Sequence, residues 1–361
     1  MKNITIGMVG VGRIGRMHVT NMLAVAETLK ERDLNIEIVL ADAMPGFAEQ
    51  VGADMGVKAA ASVDKLIEDG VDALFIATST AGHVDVLRKG IAAKLPMFCE
   101  KPIASDVPES LDIIREIDAA GATVQVGHQR RFDLGYQEAK RRLDAGDLGW
   151  LHSLKAVSND AFPPPVSYCA TSGGLFRDVS LHDFDIIRWL TGQDIVEVYA
   201  KGSNNGDPEI GAVGDIDTGA ALLTLADGTL ATAIATRYNG AGHDVRLDVM
   251  GSKDSAIVGL GEKSAFASAE EGIDFPTGES HPTFAERFAD AYKNECIAFV
   301  ELILGERENP CTPADAVAAA IVADAAQLSL VTGEPVKIPT VREILEGSAQ
   351  PVEVRALVPS A

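Results

Sequence analysis

The chain has 361 residues, is 47% hydrophobic, and sets 31 Lys+Arg against 53 Asp+Glu for a net charge of −22. That length allows two domains with cores of their own, and the apolar content excludes wholesale disorder. The acidic balance argues against nucleic acid or an anionic membrane as partner, since both need a basic surface.

Cys99, Cys169, Cys296 and Cys311 are scattered without a CxxC pair. This predicts reduced thiols in a cytoplasmic protein, with neither a disulfide frame nor a metal site. Met1-Lys2 runs directly into an apolar stretch, leaving no room for a signal peptide, and no uninterrupted apolar run approaches the length of a membrane span.

Residues 4–9 are apolar and β-branched, the pattern of a buried parallel strand. They lead into Gly10-Val11-Gly12-Arg13-Ile14-Gly15, followed by a helical pattern to Leu29. In this GxGxxG, Gly10 makes the tight turn, Gly12 admits a pyrophosphate to the backbone, and Gly15 lets helix and strand pack closely. The helix opening at Arg13 and Ile14 then presents free N–H groups and a positive dipole end to the phosphates. A second strand, 36–40, ends at Asp42, where a carboxylate accepts hydrogen bonds from the adenosine ribose. Asp33 fits the usual spacing better but precedes the strand. No Arg or Lys follows Asp42 closely, so NAD is favoured over NADP. The alternative role for Asp42 is to cap the next helix.

Strands at 73–78, 97–99 and 123–126 alternate with helical patterns at 63–68, 83–93 and 107–120, the last capped by Ser105 and Gly121. Alternating βα units mean a doubly wound parallel sheet, with ligands beyond the carboxyl ends of its strands. Thr78, Ser79, Thr80 and His83, and Glu100-Lys101-Pro102, therefore belong on the cofactor-binding rim. Beyond residue 126 the strands lengthen, at 154–157, 195–201, 220–225, 229–237 and 245–250, with Asp227-Gly228 as a hairpin turn. This predicts an α/β protein: a Rossmann domain over 1–125, an α+β domain with an open, mostly antiparallel sheet over 126–338, and a tail over 339–361 that reads as frayed surface or an interface arm. Residues 284–302 read as one long amphipathic helix, and Thr312 caps another that is rich in alanine.

Gly173-Gly174 opens a helical run in which Asp178 and His182 are four residues apart and share one face. A carboxylate beside an imidazole can orient a proton-transfer group; the plain alternative is an acidic first turn and a satisfied core histidine. Lys101, fixed by the proline after it, is either a reactive amine or a surface lysine paired with Glu100.

The glycine motif, Phe98-Cys99-Glu100-Lys101-Pro102, Gly127-His128-Gln129-Arg130-Arg131-Phe132-Asp133, and Gly173-Gly174-Leu175-Phe176-Arg177-Asp178 with His182-Asp183 together resemble the glucose-fructose oxidoreductase / inositol dehydrogenase / rhizopine-catabolism family, most of all its inositol dehydrogenases. The resemblance spans about residues 4–338 and implies an NAD-dependent dehydrogenase that oxidises one secondary alcohol of a cyclic polyol. It assigns the proton transfer to Lys101 and His182, places Asp178 against the substrate, and makes Arg130 a substrate contact. Asn159, Asp160 and His243 complete the polyol-facing set, although Asn159 stands where many relatives carry arginine and His243 where tyrosine is common. His243 could equally be a loop residue facing water. The same resemblance implies a homo-oligomer, a tetramer, built by sheets packed face to face. The rival readings are oxidation of a pyranose sugar or glycoside, and a non-catalytic NAD-binding regulator.

Overall fold

In the structure, a computed structural model that describes residues 2–352, the chain forms two compact units, 1–132 with 290–317 and 133–289 with 318–361. The first is built on six parallel strands: β1 (Lys2–Val9), β2 (Leu34–Ala41), β3 (Lys58–Ala59), β4 (Ala73–Ile76), β5 (Met97–Glu100) and β6 (Val124–Gly127), in the order β3-β2-β1-β4-β5-β6. The helices between them are α1 (Arg13–Leu29), α2 (Phe47–Met55), α3 (Val63–Glu68), α4 (Thr80–Ala92) and α5 (Val107–Ala120). The order reverses at β1, next to β4, which is the switch point where doubly wound sheets bind dinucleotides. The sequence pattern missed α2 and β3, both short. It also placed the cap of α5 one residue early: Asp106, not Ser105, accepts the Glu109 N–H, while Gly121 closes the helix as expected.

The second unit begins with α6 (Leu134–Asp144) and β7 (Leu151–Asn159). It continues through α7 (Val166–Cys169), one turn of π-helix at Phe176–Ser180, and α8 (Leu181–Thr191). Then follow β8 (Ile195–Ser203), α9 (Pro208–Ala212), β9 (Thr218–Leu225), β10 (Leu230–Thr236), β11 (Asp244–Gly251), β12 (Ser255–Val258) and α10 (Phe284–Arg287). Its strands order as β12-β11-β7-β10-β9-β8-β13, the last being the short Val336–Lys337. Every pairing is antiparallel except β10 with β7. That parallel pair needs a long crossover, and the seventy residues between the two strands supply it. One face of the sheet is covered and the other is open, so the strands alternate buried and exposed.

Residues 284–302 do not form one helix. The chain breaks at Phe288 between α10 and α11 (Ala289–Leu304). Residues 290–317 then belong to the first unit rather than to the second domain expected from sequence, and that unit runs to Phe132, seven residues past the anticipated boundary. The reason lies in packing: Cys296, Phe299 and Val300 of α11 complete the core formed by Ile4, Ile6, Met8, Phe75 and Phe98. The helix α12 (Pro313–Thr332) is long and apolar enough to cross a bilayer, yet 61% of its apolar window is buried within the fold. Part of the expected tail is ordered, since Thr340 and Glu343 form a capping box that starts α13 (Val341–Leu345); residues 353–361 lie outside the described residues. All four cysteines are buried and none is in a disulfide.

Candidate active site

In the first unit, the sheet's switch point is built around the glycine loop. Gly10 has φ +89°, and a side chain there would strike the backbone of Thr78 at the end of β4, 2.5 Å away. At Gly15 a Cβ would lie 1.9 Å from the Gly10 carbonyl, so only glycine lets α1 seat on the loop. Gly12 precedes α1 and nothing lies within 4 Å of where its side chain would be, leaving open space at the helix N-terminus beside Arg13 and Ile14. That space fits a dinucleotide pyrophosphate. Asp42 stands just past β2 and does not cap α2, whose N-cap is Gly46. Instead its Oδ2 accepts the Val11 N–H and its Oδ1 the Met44 N–H, both at 2.9 Å. The carboxylate thus holds the glycine loop and keeps free lone pairs for ribose hydroxyls. Replacing Asp42 with Ser and Ala43 with Arg is expected to move the NADP:NAD ratio of kcat/KM toward NADP by at least ~10-fold, about 1.4 kcal/mol. Steady-state kinetics with both cofactors measures it, and unchanged NAD selectivity would reject the role of Asp42.

On the same rim Ser79 holds the N-cap position of α4, with Thr78 before it and Thr80 first in the helix. His83 is buried, and its ring nitrogens lie 2.8 Å from the Pro102 carbonyl and 3.2 Å from the Thr78 carbonyl. Burial holds its pKa below the usual imidazole value. His83 therefore sits between the Thr78 loop and the loop of Lys101, and the one N–H of a neutral ring donates to one of these carbonyls. Lys101 is half-buried, and its backbone N–H is accepted by Glu100 Oε2 at 3.0 Å. Arg130 is buried just after β6, and Arg131 beside it donates to the Pro310 carbonyl at 3.0 Å.

The second unit holds the other expected residues. Gly173 and Gly174 both adopt left-handed geometry, then the π turn carries Asp178 into α8 and His182. Asp178 is clamped from both sides: Oδ1 accepts the Tyr168 hydroxyl at 2.9 Å and Oδ2 accepts Nη1 of Arg237 at 3.0 Å. Arg237 is fully buried and donates its Nη2 to Asp215 Oδ2 at 2.8 Å. Asp215 Oδ1 in turn accepts the backbone N–H groups of Leu175 and Ile216. The run from the double glycine to Asp178 is thus pinned at both ends by one Asp–Arg–Asp chain. His182 sits one residue before Asp183, whose Oδ1 accepts the buried Ser158 hydroxyl of β7 at 2.7 Å. Asn159 ends β7 and Asp160 follows it, with Asp160 Oδ1 3.2 Å from Nδ1 of His243. His243 is buried rather than facing water. The buried side-chain oxygen of Asn159 has no hydrogen-bond partner among the described residues.

Sequence reasoning missed Tyr168 and Arg237. Arg237 did leave a trace: Ala231, Ala233 and Ala235 mark the buried side of β10, and period two places Arg237 next on it.

A dinucleotide-binding parallel sheet joined to an open-sheet domain carrying Asp178 and His182 defines a two-domain nicotinamide-dependent oxidoreductase. Residues 4–128 match the oxidoreductase family with NAD-binding Rossmann fold, and residues 136–257 match the GFO/IDH/MocA C-terminal domain. The chain belongs to the GFO/IDH/MocA family, and is an NAD-dependent oxidoreductase acting on CH–OH groups. It is 36% identical to the uncharacterized oxidoreductase YrbE of Bacillus subtilis, covering 93% of this chain and 97% of that protein. It is 35% identical to the myo-inositol dehydrogenase Hyg17 of Streptomyces leeuwenhoekii, covering 85% and 90%. Among solved structures, scyllo-inositol dehydrogenase from Lactobacillus casei, with bound NAD(H) and scyllo-inositol, superposes with a TM-score of 0.80 at 30% identity, covering 93% of this chain and 99% of that one.

Proposed function

We propose that the protein oxidises one secondary alcohol of a cyclic polyol, myo- or scyllo-inositol, to the ketone. The observation that carries this reading is the fixed Asp178 with His182 four residues on, in a chain similar to enzymes named for inositols. NAD supplies hydride acceptance when bound. His182 takes the proton of the reacting hydroxyl, and Asp178 orients that hydroxyl from its clamp between Tyr168 and Arg237. Lys101 is the cationic partner that lowers the cost of charge developing on the same oxygen. Arg130, Asn159, Asp160 and His243 supply donors and acceptors for the remaining hydroxyls.

Following NADH absorbance with NAD⁺ and a panel of inositols, hexoses and glycosides tests this directly. Turnover is expected with myo- or scyllo-inositol and not with pyranoses. The reverse pattern selects the second reading, a pyranose dehydrogenase.

The protein also assembles, on this reading, as a homotetramer through the open face of its large sheet. Leu222, Leu230, Ile234 and Ile257 stand 45–48% exposed there. Register places Ile234 beside Ala220 and Val157, and Leu222 beside Thr232, so the patch is continuous across β7, β10 and β9. Burying each Leu or Ile is worth about 1.5–3 kcal/mol. Leu222→Glu with Ile234→Glu is therefore expected to lower the mass seen by light scattering to that of a dimer or monomer. A tetramer that survives both charges would remove this face from the interface.

A further inference from the structure

Next to Lys101 lies a buried group of side chains that the proposed chemistry does not use. His18 of α1 is fully buried, and its Nε2 is 2.6 Å from Glu100 Oε1. The other Glu100 oxygen accepts the Lys101 backbone N–H. The His18 ring is wedged among Phe75, Phe98 and Tyr292, with centroids 4.8, 5.6 and 5.6 Å away, so it has little room to turn. Its Nδ1 has no hydrogen-bond partner among the described residues.

One turn beyond Tyr292 on α11, Glu295 is completely buried, and neither carboxyl oxygen has a partner among the described residues. Orphaned buried polar groups of this kind call for a physical explanation. An unpartnered charge in an apolar interior is far more costly than a neutral acid. Burial first, and then the charge of Glu100, push the Glu295 carboxyl well above the ordinary range, which favours its protonated form. Glu100 goes the other way. Burial pushes it up, but the hydrogen bond and charge of His18, with Lys101 and His83, outweigh burial and hold it low. The two carboxyls are thereby pushed apart, one toward the acid and the other toward the carboxylate. The titratable and charged groups around them come from α1 (His18), α4 (His83), β5 and its end (Cys99, Lys101) and α11 (Tyr292, Cys296), with Arg13 and Arg130 acting on Tyr292.

We propose that His18 and Glu295 are positioning residues for Lys101, both acting through the Glu100 carboxylate. His18 fixes one Glu100 oxygen, which leaves the other aimed at the peptide of Lys101 and so sets where that amine begins. Glu295, buried without a partner among the described residues, adds no second carboxylate charge to compete with Glu100. The inference rests on the reading of Lys101 as a group at the reacting hydroxyl.

The test uses the full-length, NAD-bound enzyme. His18→Phe keeps a ring but loses the donor, while His18→Asn keeps a donor. His18→Phe is expected to lower kcat by ~10-fold or more through misplacement of Lys101, with the KM for NAD within ~3-fold, and to move the acid limb of the kcat/KM profile. His18→Asn recovers part of the loss. Glu100→Gln reproduces it, and the double variant is no worse than Glu100→Gln alone, because both changes act on one element. Additive losses in an active enzyme would overturn the role of His18 while leaving the dehydrogenase reading intact. Should His18→Phe fail to fold, His18→Leu, which also lacks the donor, completes the same cycle. For Glu295, infrared spectra at neutral pH are expected to contain a protonated-carboxyl stretch that is missing from Glu295→Gln. Its absence from the wild type would overturn the neutral-acid role. This arm is read without turnover, so it stays informative even where no polyol reacts.

Discussion

Replacing His182 with alanine is expected to lower kcat by at least ~10²-fold, because positioned acid–base catalysis contributes ~10²–10⁴-fold. The residue follows a π turn whose carboxylate, Asp178, is held on both oxygens, so the imidazole is presented from a fixed base rather than a loose loop. Lys101→Ala is expected to show a loss of the same order, by removing a cation from the oxygen where charge develops. Dinucleotide affinity, read by fluorescence titration, should change little in His182→Ala, since the glycine loop and Asp42 lie in the other unit. The decisive measurement is steady-state kinetics with the substrate that the polyol panel selects. Near-native turnover in both variants would reject the assignment.

The largest effect on stability is expected at Arg237. Its guanidinium is fully buried between Asp178 and Asp215, with side-chain exposures of 0%, 13% and 3% for the three residues. Truncation to alanine leaves two carboxylates facing each other without their shared cation, and breaking a buried pair this way costs about 3–5 kcal/mol. Arg237→Ala should therefore unfold at much lower urea concentration and, where folded, lose activity as Asp178 comes free of its clamp. Arg237→Lys should recover only part of both, because an ammonium cannot serve two carboxylates with the fork of a guanidinium. A loss below about 1 kcal/mol, in the range of an exposed pair, would show that the chain Asp178–Arg237–Asp215 does not hold the site.

The first unit was largely legible because its code is local. Strand, glycine turn and helix follow one another within thirty residues, and α3 and α5 span the residues their apolar spacing predicts, though the N-cap of α5 falls one residue later than expected. Asp42 was placed correctly at the strand tip, but its two backbone donors, Val11 and Met44, come from the folded loop and are not written beside it. Arg237 lay further from reach, since its partners are 59 and 22 residues away in the chain. Inward register on β10 could mark it as buried, yet nothing local says which acids it meets. The same limit hid His18, whose partner Glu100 is 82 residues on. The parallel pairing of β10 with β7 went unseen for a related reason: alternation reveals which face of a strand is covered but not the direction of its neighbour.

The interruption of the first unit bears on how the protein is made. Its sheet is finished once residue 132 is synthesised, but Cys296, Phe299 and Val300 have yet to be translated, and the core they complete stays partly bare until they leave the ribosome. All of the second sheet except its short last strand, β7 through β12, emerges in that interval. The nucleotide-binding half, begun first, is thus sealed late, and a fragment ending at residue 132 would carry an apolar scar where α11 belongs.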